Sequence, residues 1–207
     1  MTSLLLATNN SGKLIEIQAI LNEYAPRDLP IQLVTPSDIQ LNLDVEETGS
    51  RYEENAALKA VAFCNASGLI ALADDSGLEV DLLDGEPGVR SARYSPRPGD
   101  TDAGRRSYLL SRLKDQPRPW SAHFHCTVAV AVPQGGLYFH EGQVYGEIIP
   151  EERGANGFGY DPIFLVPELN KTMAELTMAE KNQLSHRARA MRAALPTLIS
   201  LFPSQSR

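Results

Sequence analysis

The chain has 207 residues, 43% hydrophobic and 22% charged, enough apolar material for one generous domain or two small lobes sharing a core. A formal charge of −7 argues against general DNA or RNA binding, which calls for a broad basic face, and no apolar run reaches the length of a membrane span. The first residues lack a basic stretch and a small-residue cleavage site, and Cys64 and Cys126 stand far apart in no metal-binding pattern, so the expectation is a cytoplasmic protein with free thiols.

In chain order, the pattern predicts a strand at 3–7 and a helix following Ser11 with Leu14, Ile17, Leu21 and Tyr24 on one face. A strand at 31–35 comes next, then a helix opening on Ser50-Arg51-Tyr52-Glu53, read as a capping box. That helix turns Tyr52, Ala56, Ala60 and Phe63 inward and stops at Gly68. Strands at 69–74 and 78–83 precede a helix over about 102–113. The strand at 123–132 carries the clearest alternation: Phe124, Cys126, Val128, Val130 and Val132 against His125, Thr127, Ala129 and Ala131. Strands at 137–148 and 163–166 follow, and a last helix opens on a second capping box, Thr177 to Glu180, and runs towards Pro196. Early strand–helix alternation followed by consecutive strands gives an α/β fold: a central mixed β-sheet flanked by helices. Residues 84–88 and 96–99 read as turns within it.

Several segments could carry chemistry. In LLLATNNSGKLIEI, an apolar strand leads through a polar loop into a helix whose first turn holds Lys13. Helix-start N–H groups and an adjacent ammonium attract anions, yet the Walker pattern fails at Ala7 and Leu14. A different phosphate loop and a plain turn capped by Asn10 and Ser11 both fit. Glu46 and Glu47 precede a helix start, where acids also favour the helix dipole. Set opposite Asp74 and Asp75, which the pattern places at the end of a buried strand, they become candidate magnesium ligands beside Lys13.

In GANGFGYDPIFLV, Gly157 and Gly159 flank Phe158, a ring that could stack on a base or fill the core at a tight turn. Lys181, His186 and Arg187 lie on or beside the last helix, as a solvated basic face or as groups that grip a phosphate or a base carbonyl. His123 and His125 share a strand face without an evident third ligand, so the reading is a surface pair rather than a metal site.

Taken together, TNNSGK, EETG…ENA, ADDSGLEVDLL, PGVRSARY, GFGYDPIF and AEKNQLSHRARA resemble, in order and from Leu4 to about Ala190, the inosine/xanthosine triphosphate pyrophosphatases. The resemblance implies one elongated two-lobed domain over residues 1–207 with a nucleotide-binding cleft between the lobes, usually a homodimer, with one magnesium ion per subunit. It implies hydrolysis of non-standard purine nucleoside triphosphates (ITP, dITP, XTP) to the monophosphate and pyrophosphate, with no nucleic-acid or membrane partner. Carried onto this chain, Thr8, Asn9, Asn10, Ser11, Gly12 and Lys13 hold the triphosphate, with Lys13 neutralising it. Glu47 and Asp75 bind magnesium, Asp75 is also the base that activates water, and Ser76 touches phosphate or sugar. Phe158, Gly159, Tyr160 and Asp161 frame the purine, and Lys181, His186 and Arg187 read its 6-oxo edge. The competing expectations are a pyrophosphatase for pyrimidine or modified nucleotides, a non-catalytic nucleotide sensor, and a phosphoryl transferase, the last disfavoured by the missing P-loop.

Overall fold

Strand β1 (Thr2–Leu6) lies between two parallel neighbours, β2 (Ile31–Val34) and β3 (Ile70–Val80). The computed structural model describes residues 2–203, so Met1, read with the first strand, lies outside the described residues. A seven-stranded mixed sheet runs in the order β2-β1-β3-β4-β5-β6-β7, completed by β4 (Trp120–Val132), β5 (Gly136–Ile148), β6 (Phe164–Val166) and β7 (Lys171–Thr172). Strand β6 pairs antiparallel with both β5 and β7.

Two compact units divide the chain. The first comprises the residues up to Asp75, Cys126–Gly142 and Arg187 onward. Helix α1 (Ser11–Tyr24) and helix α5 (His186–Leu201) supply Ile17, Ile20, Leu21, Ala188, Ala190, Met191, Ala194 and Leu198 to a core shared with Leu4, Leu6 and Leu72. Helix α2 (Tyr52–Ser67) packs Ala56, Ala60, Phe63 and Cys64 against Leu5, Ala7, Ala71 and Ala73. Alternate residues of β1 and β3 thus feed opposite cores, as the strand period of two demands. The second unit, Ser76–His125 and Gln143–His186, has its own core in which helix α3 (Asp102–Leu113) contributes Leu109 and Leu113 beside Trp120, Phe124, Tyr160, Ile163 and Phe164.

Three expectations are corrected. The strands expected at 69–74 and 78–83 are one eleven-residue strand, so Asp74 and Asp75 sit within a strand rather than at its end. Both carboxylates have cationic partners, which lets the extended backbone continue through them. At the start of α2, Glu54 rather than Glu53 caps the helix, its Oε2 accepting from Ser50 N at 2.8 Å and Arg51 N at 3.3 Å. The last helix is two: α4 (Met178–Leu184) ends where Ser185 turns extended (φ −64°, ψ 155°), and α5 then continues past Pro196. No helix among the described residues is long and apolar enough to cross a membrane.

Candidate functional site

In the first unit, the parallel pairing places the acidic pair. Leu6, the last residue of β1, pairs with Leu72, and β3 runs on to Asp74 and Asp75 while the chain after β1 turns into α1. The aspartates therefore lie on β3 just beyond the carboxyl end of its parallel neighbour β1, beside a helix N-terminus, the side on which open α/β sheets bind ligands. Asn10 is the N-cap of α1, its Oδ1 accepting from Lys13 N at 3.1 Å, and its own N–H reaches Thr8 Oγ1 at 3.2 Å. Thr8 and Gly12 are half-buried, whereas Asn9, Asn10 and Ser11 are exposed.

Strand parity sends the two carboxylates to opposite faces. Asp74, in phase with Leu72, faces α1 and α5: its Oδ2 lies 3.1 Å from Lys13 Nζ and 3.1 Å from the Arg187 guanidinium. Burial pushes the Asp74 carboxyl up, but the charges of Lys13, Arg187 and Lys59 outweigh it and hold the group far below the usual carboxylate range. Cys126 Sγ lies 3.9 Å from the same oxygen, and burial, reinforced by Asp74, pushes that thiol far up.

Asp75 faces α2. Its Oδ2 accepts from Asn55 Nδ2 at 3.0 Å, and its Oδ1 stands 3.8 Å from Lys59 Nζ. Lys59 Nζ also lies 2.6 Å from Glu47 Oε1, so carboxylates from two separate segments converge on one ammonium. Asn55 Oδ1 in turn accepts from Gly49 N at 2.8 Å, tying the loop that carries Glu47 to the strand that carries Asp75. A Cβ at position 49 would stand 2.7 Å from that oxygen, so the approach requires glycine. Burial first, then the neighbouring Glu47, raises the Asp75 pKa; Lys59, Lys13 and Asn55 oppose this without cancelling it. The Asp74 carbonyl accepts from Lys59 at 2.8 Å and Lys13 at 3.3 Å, which brings two ammonium groups to one point.

This donor set fits a divalent cation: two oxygen-bearing side chains already share a positive group, and Asp75 is held in a raised-pKa state that a further positive charge relieves. Glu46 is exposed and the Asp74 carboxylate is turned to the other face, so Asp74 meets Lys59 through its backbone carbonyl alone among the contacts described. Lys59 and Asn55 were not singled out in the sequence. The only signal was their spacing on α2, four apart and therefore on one side of the helix.

The second unit gathers the other group. Asp161 Oδ2 accepts from Phe158 N at 3.0 Å and pairs with Lys181 Nζ at 2.9 Å, and that ammonium stands 5.7 Å from the centroid of the Phe158 ring. Gly157 adopts φ +76°, and a Cβ there would fall 2.0 Å from Asp161 Oδ2, so no other residue fits. The Tyr160 hydroxyl donates to Ser91 O at 3.0 Å, which plants the end of the turn in the core. His186 is buried with its ring stacked on Phe124, centroids 4.7 Å apart. Ser76 is half-buried on β3. His123 and His125 flank Glu79 at 3.3 Å and 3.8 Å, and no group of three or more metal-ligating side chains is present among the described residues.

Arg187 has a defined place in the first unit. Expected on the purine edge, it is 1% exposed, with its guanidinium bonded to Glu16 and Asp74. Ser185, extended between α4 and α5, lies in the chain between Lys181 of the second unit and Arg187 of the first.

Comparison with known proteins places the chain among close relatives. The Ham1 family model matches residues 4–197. A dITP/XTP pyrophosphatase of Geobacter sulfurreducens is 48% identical over 192 residues, 92% of this chain and 94% of the relative. One of Streptomyces coelicolor is 46% identical over 203 residues, 98% and 100% of the two chains. The solved structure of a HAM1 protein from Coxiella burnetii superposes with a TM-score of 0.85 at 41% identity, covering 97% of this chain and all of that one.

Proposed function

Because this chain belongs to the Ham1 family, we propose that it hydrolyses non-standard purine nucleoside triphosphates, dITP, ITP and XTP, to the monophosphate and pyrophosphate. By this it removes such precursors before they enter DNA or RNA. The observation that carries the reading is the meeting of Glu47, Asp75 and two lysines beside the N-terminus of α1.

Lys13, Lys59 and the N-terminus of α1, with the loop of residues 8–12 leading into it, oppose the charge of a triphosphate. Glu47 and Asp75 would hold one magnesium ion per subunit, which when bound draws charge from the phosphates. Asp75 accepts the proton of the attacking water: the water oxygen bonds to the α-phosphorus, and the bond to the bridging oxygen of pyrophosphate breaks. Asn55 fixes the orientation of Asp75 through Oδ2. Ser76 contacts phosphate or sugar. Phe158 stacks on the purine within the turn of residues 157–161, and Lys181 and His186 present donors to the 6-oxo group. An amino group in its place leaves buried donors unpaired, the kind of mismatch that polar sites reject strongly. The proposal includes a homodimer working in the cytoplasm, where nucleotides are made and used.

The test is purified protein with magnesium and each triphosphate in turn. ITP, dITP and XTP should yield monophosphate and pyrophosphate, with ATP and GTP spared by a wide margin. Release of orthophosphate, or turnover of ATP at a similar rate, overturns the proposal.

A further inference from the structure

The turn that carries Phe158 is held from outside by α3. Asp102 Oδ2 accepts from Gly159 N at 2.7 Å, and Arg106 Nη1 donates to Gly159 O at 2.8 Å. These two bonds seize consecutive peptide groups, one on each side of the Gly159 Cα, and so fix a backbone that adopts φ +60°. Asp102 and Arg106 are four apart on one helix face, the spacing at which such a pair would ordinarily bond to each other. Here each has a separate anchor instead. Arg105 holds the other Asp102 oxygen, and Glu152 grips Arg106 through two bonds of 2.8 Å, which lock its guanidinium plane. Thr101 caps the helix through Gly104 N at 3.1 Å, so the first turn that bears Asp102 is itself fixed.

On the inner side, Asp161 holds Phe158 N and Lys181 together. The Phe158 backbone is therefore gripped on both flanks, and the ring and the ammonium above it keep one relative position. Nothing in the strand or helix pattern demands an acceptor and a donor aimed at a glycine in another element 57 and 53 residues away.

We propose that Asp102 and Arg106 are positioning residues: by clamping Gly159 they set the Phe158 ring for the base of the substrate. The inference rests on the reading of Phe158 as the stacking residue. Neither side chain touches the reacting atoms, so the clamp acts on base binding and not on phosphoryl chemistry. Stacking on an aromatic ring is worth about 5- to 150-fold in affinity, and a displaced ring forfeits part of it.

The experiment compares Phe158→Ala, Asp102→Ala and Asp102→Asn with the unaltered protein, using dITP and magnesium. Asp102 lies at the exposed start of α3, so its replacement spares the core, and asparagine keeps an acceptor oxygen for Gly159. Asp102→Ala should raise KM about 5- to 20-fold with kcat within about twofold, and Asp102→Asn should restore most of the loss. Hydrogen exchange should show lost protection at the Gly159 amide in Asp102→Ala. If Phe158→Ala raises KM and Asp102→Ala does not, the clamp is overturned while stacking stands. If neither raises KM, the stacking reading fails and the clamp falls with it. A loss in kcat alone, or no rescue by asparagine, also overturns the proposal.

Discussion

Replacing Arg187 with methionine tests most directly whether that residue anchors buried carboxylates. Its guanidinium is 1% exposed and bonded to Glu16 and Asp74, while Lys13 bonds the same Asp74 oxygen. Methionine keeps an apolar stem of similar length but takes the guanidinium from both Glu16 and Asp74, leaving Asp74 with Lys13. Removing one partner from a buried ion pair costs roughly 3–5 kcal/mol, because the remaining charge stays desolvated. For a chain of this size that is a fall of roughly 6–20 °C in Tm, less under conditions where the carboxyls are protonated. The assay is urea unfolding of Arg187→Met, Glu16→Gln and the double variant. Adding Glu16→Gln to Arg187→Met should recover about 1–3 kcal/mol, since it deletes one of the two carboxylates that lose the guanidinium. A single-variant loss below about 1 kcal/mol would refute the argument that Arg187 holds the buried carboxylates. An Arg187→Met protein of unaltered stability with a raised KM for dITP would return the residue to the purine edge.

Other outcomes follow from the same geometry. Lys59→Met should leave Glu47 and Asp75 without their shared ammonium, lowering Tm in the presence of a chelator. Magnesium should then bind more tightly than it does with Lys59 present, and equal Kd values for the two proteins by titration calorimetry would count against the shared site. Asp75→Asn should cut turnover by about 10²- to 10⁴-fold without lowering Tm, because it relieves the Glu47 repulsion; retained activity would remove Asp75 as the base. The Arg106 hydrogen bond holds the Glu152 carboxyl below the usual range, so its stabilising effect is present above the ordinary glutamate pKa and lost as pH falls through the lowered one. Between about pH 5 and 3 the unaltered protein should therefore lose a small advantage over Glu152→Gln, and Tm curves that stay parallel there would contradict the pairing.

What the sequence revealed was whatever local periodicity encodes. Leu41, Leu43 and Val45 are half-buried and alternate with exposed Asn42, Asp44 and Glu46, so Glu47 continues the inward phase of an extended segment that forms no strand. That alternation puts Glu47 and Glu46 on opposite sides of the segment, a distinction the sequence reading drew only from the family resemblance. The capping of α4 was equally legible, since Thr177 and Glu180 complete a reciprocal box. The break at Ser185 was not, because no Gly or Pro marks it and the helical pattern resumes at once. Arg187 finds Glu16 across 171 residues, and the Asp102–Gly159 bond spans 57; neither pairing has a periodic trace. Lys59 looked like an ordinary polar position on α2, though Ala56 and Ala60 beside it are fully buried.

The doubled aspartate shows why adjacency was misread. A strand end would have put both carboxylates in water at little cost, whereas an uninterrupted strand sends neighbouring side chains to opposite faces. Asp74 goes to the face where Arg187 and Lys13 neutralise it, and its carbonyl receives both lysines. Asp75 goes to the face where Glu47 and Lys59 wait, with burial and a like charge raising its pKa. A one-residue shift of register would exchange these environments, placing the carboxyl of raised pKa among the anchoring cations and the anchored one beside Glu47. The parity of β3, fixed by Leu72 and Ala73 packing into separate cores, is therefore what gives the two adjacent carboxylates different environments.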